Sequence, residues 1–159
     1  MSELIQQPVK RTLTMEQLPP LVGKELGLTE WLPISQDRIT RFANCTNDDQ
    51  WIHTDGTRCA AESPFRTTIA HGYLTLSLIS FFVEQTLELS DASIALNYGL
   101  NKVRFPHPVV VESQLRGRIT LQSCQAIEGG IQYALAVVIE LQGTQKPACA
   151  AEAIFRALR

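Results

Sequence analysis

The chain has 159 residues, of which 45% are hydrophobic and 19% are charged, and its 14 basic and 16 acidic residues give a formal net charge of -2. This size and composition predict one folded domain and exclude a disordered chain or a coiled coil. The lack of excess positive charge argues against a nucleic-acid-binding protein.

Cysteine spacing and the N-terminus indicate the cellular compartment. The four cysteines are far apart and form no CxxC pair, which is typical of reduced thiols in the cytoplasm. Residues 1–20 lack a secretory signal pattern. The most apolar stretch, residues 69–83, contains His71 and Gly72 and is shorter than the ~20 residues of a membrane-spanning helix. We therefore expect a cytoplasmic protein with no membrane partner.

The first half of the chain predicts short elements. Residues 1–17 are expected to be loosely ordered, and residues 21–35 to hold one short edge strand. Ser35 is predicted to cap a helix that ends near Asn44, before the turn-forming residues 47–49. A short helical turn follows at residues 54–61. Residues 72–83 predict a helix that is apolar on nearly all sides and therefore buried all round.

The second half predicts long strands. Apolar residues alternate with polar ones over 109–121 and 131–141, and Gly129 and Gly130 between them suit a tight hairpin. Further strands are expected at residues 96–105 and 148–158. One central helix followed by antiparallel strands predicts an α+β fold, in which a curved antiparallel sheet wraps around a long central helix.

Two of the three histidines, His53 and His71, flank the polar segment before the buried helix. Asp48 and His53 stand five residues apart, so they lie on different faces of a continuous helix and converge only if the chain turns. A carboxylate and an imidazole that meet around one water form a general acid/base pair. At the helix start, the backbone N–H of Gly72 can approach a ligand oxygen closely and stabilise negative charge on it.

Each feature has an ordinary structural alternative. An Asp and a His near a helix end often serve as a cap and a solvated side chain, and Gly72 can be a packing residue. Asp48, His53, Asp55 and His71 could also ligate a metal, but no HxH or HExxH spacing supports this. We therefore expect no metal and no redox cofactor.

Four segments resemble one known family, the MaoC-like dehydratases. Residues 42–55 (FANCTNDDQWIHTD) and 69–77 (IAHGYLTLS) resemble its hydratase motif. Residues 97–106 (NYGLNKVRFP) and 146–149 (KPAC) are similar to its nodulation protein N-like branch. The resemblance covers roughly residues 18–159.

The resemblance implies a hot-dog fold over one domain, residues 1–159, and a homodimer. It implies that Asp48 and His53 activate a water that adds reversibly to a trans-2-enoyl thioester, giving an (R)-3-hydroxyacyl product. The substrate would be carried by coenzyme A or by acyl carrier protein. Gly72 would donate its N–H to the thioester oxygen. Further substrate-binding candidates are His71, Ser80, Trp51, Asn97 and Tyr98.

One departure from the family concerns substrate size. Gln50 and Trp51 stand where many relatives have Asn-Pro, and the indole of Trp51 could line or shorten the acyl pocket. Two alternative functions remain open. One is an acyl-CoA thioesterase of the same fold, and the other is a non-catalytic subunit that binds acyl ligands.

Overall fold

The structure is a computed structural model that describes residues 10–159. Its strands and helices, in chain order, are β1 (Arg11–Leu13), β2 (Glu25–Leu28), β3 (Leu32–Ile34), α1 (Gln36–Thr46), α2 (Trp51–Thr54), α3 (Gly56–Glu62), α4 (Gly72–Ser77), α5 (Ile79–Glu84), β4 (Leu87–Leu89), β5 (Ile94–Arg104), β6 (Ser113–Ile127), β7 (Gly130–Leu141) and β8 (Cys149–Leu158). Two short 3-10 turns, Met15–Gln17 and Pro19–Leu21, lie between β1 and β2.

Six strands form one antiparallel sheet. The order is β2-β6-β7-β8-β5, and β3 also pairs with β6. The β6–β7 hairpin turns at Gly129, whose φ of 76° is in the left-handed region that glycine adopts without strain. β1 and β4 form a separate parallel pair. The predicted α+β class and the hot-dog arrangement of sheet and helix are confirmed.

The period-two pattern places the core on one face of the sheet. In β6 up to Leu121 and throughout β7, the odd-numbered apolar side chains are buried, as the alternation predicts. Helices α4 and α5 pack on this face, and Phe82 of α5 is fully buried there. A Cβ at Gly117 of β6 would lie 2.6 Å from the Cβ of Phe82, so the glycine lets the helix approach the sheet closely.

The central helix differs from its prediction in two ways. It is divided at Leu78 into α4 and α5, although Leu78 keeps right-handed helical angles. The prediction that this helix is buried on all sides is wrong, because the side chain of Tyr73 is 70% exposed and that of Phe81 is 41% exposed. The physical reason is that the sheet covers only one side of the helix.

The N-terminal part is more ordered than predicted. Within the described residues 10–17 the chain forms β1 and a 3-10 turn, because Met15 is buried in the core. Residues 1–9 lie outside the described part, so their predicted loose order stays a prediction. Residues 21–35 form two strands, β2 and β3, instead of one. Among the described helices, none is both long and apolar enough to cross a membrane.

Candidate active site

Asp48 is positioned by the end of α1. Ser35 caps the start of this helix by accepting a hydrogen bond from the N–H of Arg38, as predicted. At the other end Asn47 adopts a left-handed conformation with φ 56°, and the N–H of Asp48 donates to the Ala43 carbonyl at 3.1 Å. The chain therefore reverses immediately before Asp48, whose side chain is exposed.

His53 lies on the short helix α2 that follows this turn. Its side chain is only 6% exposed, and its Nδ1 is 2.7 Å from the carbonyl oxygen of Ile69. A carbonyl oxygen can only accept, so Nδ1 carries the proton and Nε2 keeps a free lone pair. The tautomer of His53 is thus set by the backbone, and Nε2 is the nitrogen available as a base.

Burial controls the charge of His53. Desolvation lowers its pKa below the ordinary value of 6.5. The hydrogen bond to Ile69 raises the pKa, the nearby His71 lowers it, and the Asp48 carboxylate raises it, but the net direction is downward. His53 is therefore neutral at neutral pH, which is the state required of a general base.

His71 is also buried, at 2% exposure, and it is the N-cap residue of α4. Its Nε2 donates to the backbone carbonyl oxygen of Asp48 at 2.9 Å. Its ring stacks on that of His53, with centroids 3.7 Å apart and an interplanar angle of 26°. The structure therefore joins the three residues into one cluster, across the 23 residues from Asp48 to His71.

Gly72 is the first residue of α4, where backbone N–H groups have no acceptor within the helix. A Cβ at Gly72 would lie 3.2 Å from the ring of Phe105, which stands just beyond β5. Tyr73 contacts the same ring edge-on, with centroids 6.4 Å apart. An aromatic surface formed by Phe105 and Tyr73 therefore lies beside this helix start.

A metal is the first alternative to test for this cluster. A carboxylate oxygen of Asp48 and ring nitrogens of His53 and His71 all lie within 4.8 Å of one another. However, one nitrogen of each ring already donates to a carbonyl, and the remaining lone pairs lie in the planes of two stacked rings. Such lone pairs do not converge on one tetrahedral ion. The arrangement suits proton transfer better, and the expected lack of a metal stays a prediction.

Ser80 and Asn97 meet at a second place along the central helix. The Nδ2 of Asn97 donates to the Oγ of Ser80 at 3.0 Å, which ties α5 to β5. Both residues line a cavity of about 380 Å³ between the helices and the strands β5 and β8. Tyr98 lines the same cavity, and its ring lies under the guanidinium of Arg156 at 3.5 Å from the ring centroid.

Trp51 lies at the first position of α2 and is half-buried. The guanidinium of Arg58 sits 4.3 Å from the centroid of its indole ring. The ring is thus held against α3 by a cation–π contact. Trp51 lies on α2, whereas Ser80 lies on α5 and Asn97 on β5. The predicted role of Trp51 in limiting the acyl chain stays a prediction.

Sequence reasoning missed three supporting groups. The Ile69 carbonyl fixes the tautomer of His53, and Gln36 donates to the His53 carbonyl at 2.8 Å. Phe105 faces Gly72. Phe105 lies in the segment 97–106 that resembles the family, at the end of a predicted strand and before Pro106. Its position in the sequence was therefore a signal that could have identified it. Nothing local marks Gln36 or Ile69, because their contacts are made across 17 and 16 residues.

The MaoC-like domain family model matches residues 17–142. The chain is 41% identical over 144 residues to the 3-hydroxyacyl-thioester dehydratase Z of Mycobacterium tuberculosis, covering 90% of this chain and 95% of that protein. It is 40% identical over 142 residues to Nodulation protein N of Rhizobium leguminosarum bv. viciae, covering 87% and 88%.

A solved structure gives an independent view of the fold. The R-hydratase PhaJ1 from Pseudomonas aeruginosa, in its unliganded form, superposes with a TM-score of 0.74 at 22% identity. The superposition covers 92% of this chain and 86% of that one.

Proposed function

This chain belongs to the MaoC-like domain family, and from that membership we propose that it is a hydro-lyase acting on acyl thioesters. It adds water reversibly to trans-2-enoyl thioesters and forms (R)-3-hydroxyacyl thioesters. The observation that carries the proposal is the convergence of Asp48 and His53 beside the first N–H of α4. The 41% identical relative that is named a 3-hydroxyacyl-thioester dehydratase supports it.

The proposed reaction uses the side chains of Asp48 and His53 and the N–H of Gly72. Water attacks C3 of the enoyl chain, and the Asp48–His53 pair takes one of its protons; Nε2 of His53 has the free lone pair for this step. The double-bond electrons move toward the thioester carbonyl, where the N–H of Gly72 donates to the developing enolate oxygen. The pair then returns a proton to C2, so that one water is added in total.

The acyl chain is proposed to lie along the central helix. Ser80, Asn97 and Tyr98 line the cavity of about 380 Å³ that begins at Leu76 and Ser77, one turn beyond the helix start. Phe105 and Tyr73 border the thioester end. Trp51 is proposed to contact substrate from α2. Coenzyme A or acyl carrier protein would carry the acyl group.

We also propose that the chain acts as one domain, as a homodimer and in the cytoplasm. One contiguous core that runs from Met15 to Ala157 supports a single domain. The edge strand β5 is exposed along nearly all of its length, which supports dimerisation. The four cysteines are unpaired in the described residues, which supports a reducing compartment.

The test is the loss of the enoyl absorbance when the protein meets crotonyl-CoA and longer trans-2-enoyl-CoA substrates. Asp48→Asn and His53→Ala should each lower kcat by roughly 100-fold or more, the usual contribution of a general acid/base group. Matched controls are Asp49→Asn, which removes the neighbouring exposed carboxylate, and His107→Ala, which removes the third histidine. Both should keep wild-type rates.

Three further readouts decide among the alternatives. Chiral analysis should give the (R) product. Release of free thiol without loss of the double bond would identify a thioesterase instead. Acyl-CoA binding with no conversion of any enoyl substrate would identify a non-catalytic subunit. Near-normal rates in both Asp48→Asn and His53→Ala would refute the proposed site.

A further inference from the structure

His71 has no part in the proposed reaction, yet it lies at the centre of the site. Its side chain is 2% exposed and offers substrate almost no surface. The sequence-based hypothesis that His71 contacts substrate therefore does not fit its burial. Its contacts go to protein groups instead, and they include both Asp48 and His53.

The hydrogen bonds of His71 define its protonation. Its Nε2 must carry a proton, because its partner is the Asp48 carbonyl oxygen, which can only accept. Its Nδ1 is buried and has no hydrogen-bond partner among the described residues. A second proton on Nδ1 would be a buried donor without an acceptor, which is strongly unfavourable. The geometry thus favours the uncharged ring with its proton on Nε2.

The ring of His71 also supports His53. The stacked arrangement restricts how the His53 ring can tilt, while the hydrogen bond to Ile69 restricts its rotation. Phe42 of α1 packs against His71 with ring centroids 5.0 Å apart. His71 therefore connects α1, the turn that bears Asp48 and the helix that bears His53.

We propose that His71 is a positioning residue, which holds the Asp48 backbone through its Nε2–H and the His53 ring through stacking, so that both meet the same water. This inference rests on the proposed hydratase function. It explains why Asp48 and His53, which come from separate elements, lie close together. An uncharged His71 also avoids placing a second positive charge against His53 when His53 receives a proton.

Two variants separate the two contacts. His71→Phe keeps a planar ring but removes the donor to Asp48, whereas His71→Gln keeps an N–H at a similar reach but removes the ring. We expect His71→Phe to lower kcat roughly 10- to 100-fold with KM within about twofold, since a misplaced catalytic group slows chemistry more than binding. His71→Gln should recover a large part of this loss.

The pH dependence is a second readout that a packing role alone would not change. The titratable groups that act on His53 are Asp48, whose carboxylate raises its pKa, and His71, which lowers it only when it carries a positive charge. Because His71 is uncharged, its removal acts on the pKa of His53 through the position of Asp48. In His71→Phe the released Asp48 carboxylate should raise the pKa of His53 less, so the acid limb of kcat/KM, where His53 gains its proton, should move to lower pH. His71→Gln, which keeps the donor to Asp48, should keep the acid limb near its wild-type position. The melting temperatures should stay close to wild type.

Histidine side-chain NMR tests the inference without any activity. The chain has only three histidines, so the spectra of the wild type and of His71→Phe are readily assigned. We expect the Nε2–H tautomer for His71 and the Nδ1–H tautomer for His53. An Nδ1–H tautomer for His71 would overturn the inference, whether or not the wild type hydrates an enoyl thioester.

The two proposals fail in different ways. If the wild type is active and His71→Phe keeps the wild-type kcat and acid limb, only the role of His71 is refuted. A loss in both variants through raised KM and a lower melting temperature would reduce His71 to a packing residue. A wild type that hydrates none of the substrates would refute the proposed function, and the NMR tautomers would still decide the arrangement of the cluster.

Discussion

The positions of single residues in the site are fixed mainly by contacts with neighbouring groups. Asp48 is exposed, and its backbone is held by the turn at Asn47 and by His71. His53 is held by the Ile69 carbonyl. Gly72 is exposed, but a side chain at this position would press against the ring of Phe105. Small changes at these positions should therefore alter rates more than stability.

Gly72→Ala tests the helix start. The added methyl group would lie 3.2 Å from the Phe105 ring, so the ring or the helix start would have to shift, which disturbs the N–H that is proposed to donate to the thioester oxygen. We expect kcat/KM for crotonyl-CoA hydration to fall about 10-fold or more, since weakening one oxyanion donor is costly. Gly56→Ala is the matched control, because Gly56 also begins a helix but has open space around its Cα. Equal rates in the two variants would contradict the role of Gly72.

At the scale of elements, the central helix and the edge strand border two open cavities. The first, of about 380 Å³, begins near Leu76, and the second, of about 340 Å³, lies near Leu87 in β4. Ser80, Asn97 and Phe155 line both cavities. The Ser80–Asn97 hydrogen bond therefore stands between the two cavities, about 12 Å along the helix from Gly72 at 1.5 Å per residue.

This arrangement predicts a limit on acyl length. An extended chain advances about 1.2 Å per single bond, so 12 Å corresponds to roughly ten bonds. Removing the hydrogen-bonded pair in Ser80→Ala/Asn97→Ala should join the cavities and raise kcat/KM for longer enoyl-CoA substrates relative to crotonyl-CoA. A series of trans-2-enoyl-CoA lengths measures the preference. Ser93→Ala, which lines only the second cavity, serves as the control. An unchanged length profile in the double variant would rule out this limit.

At the scale of the whole molecule, one edge of the sheet has no neighbouring strand among the described residues of the single chain. β5 lies at the end of the sheet, pairs only with β8 among the described strands, and is exposed along nearly all of its length. Its exposed apolar side chains are Ile94, Leu96, Tyr98 and Leu100. Long apolar edge strands are prone to pair with another chain, so this edge is the proposed dimer interface.

Leu96→Lys should convert the dimer to a monomer, because a charge would be buried in the new interface without a partner. Size-exclusion chromatography with light scattering measures the mass. Val22→Lys is the matched control, since Val22 and Leu96 are each 45% exposed but Val22 lies outside β5. A wild type that is monomeric at micromolar concentration, or a dimeric Leu96→Lys, would refute this interface.

The local patterns of the sequence determined the local structure. Period-two alternation marked β6 and β7, Gly129 marked their turn, and Ser35 marked the start of α1. These predictions succeeded because alternation, caps and turns depend on residues within a few positions of each other. The segments that carry the family resemblance are also local strings, and they named Asp48, His53 and Gly72 as candidates.

Only the tertiary structure decided how these local pieces meet. The packing of His71 on His53, the approach of Phe105 to Gly72 and the exposure of β5 all depend on contacts between distant segments. The same holds for the short strands β2 and β3, which exist because β6 offers them partners. Burial, tautomer and pKa follow from such contacts, because each depends on which groups surround a side chain in space. The sequence by itself therefore named the candidate site residues, while the fold decided their orientation and charge.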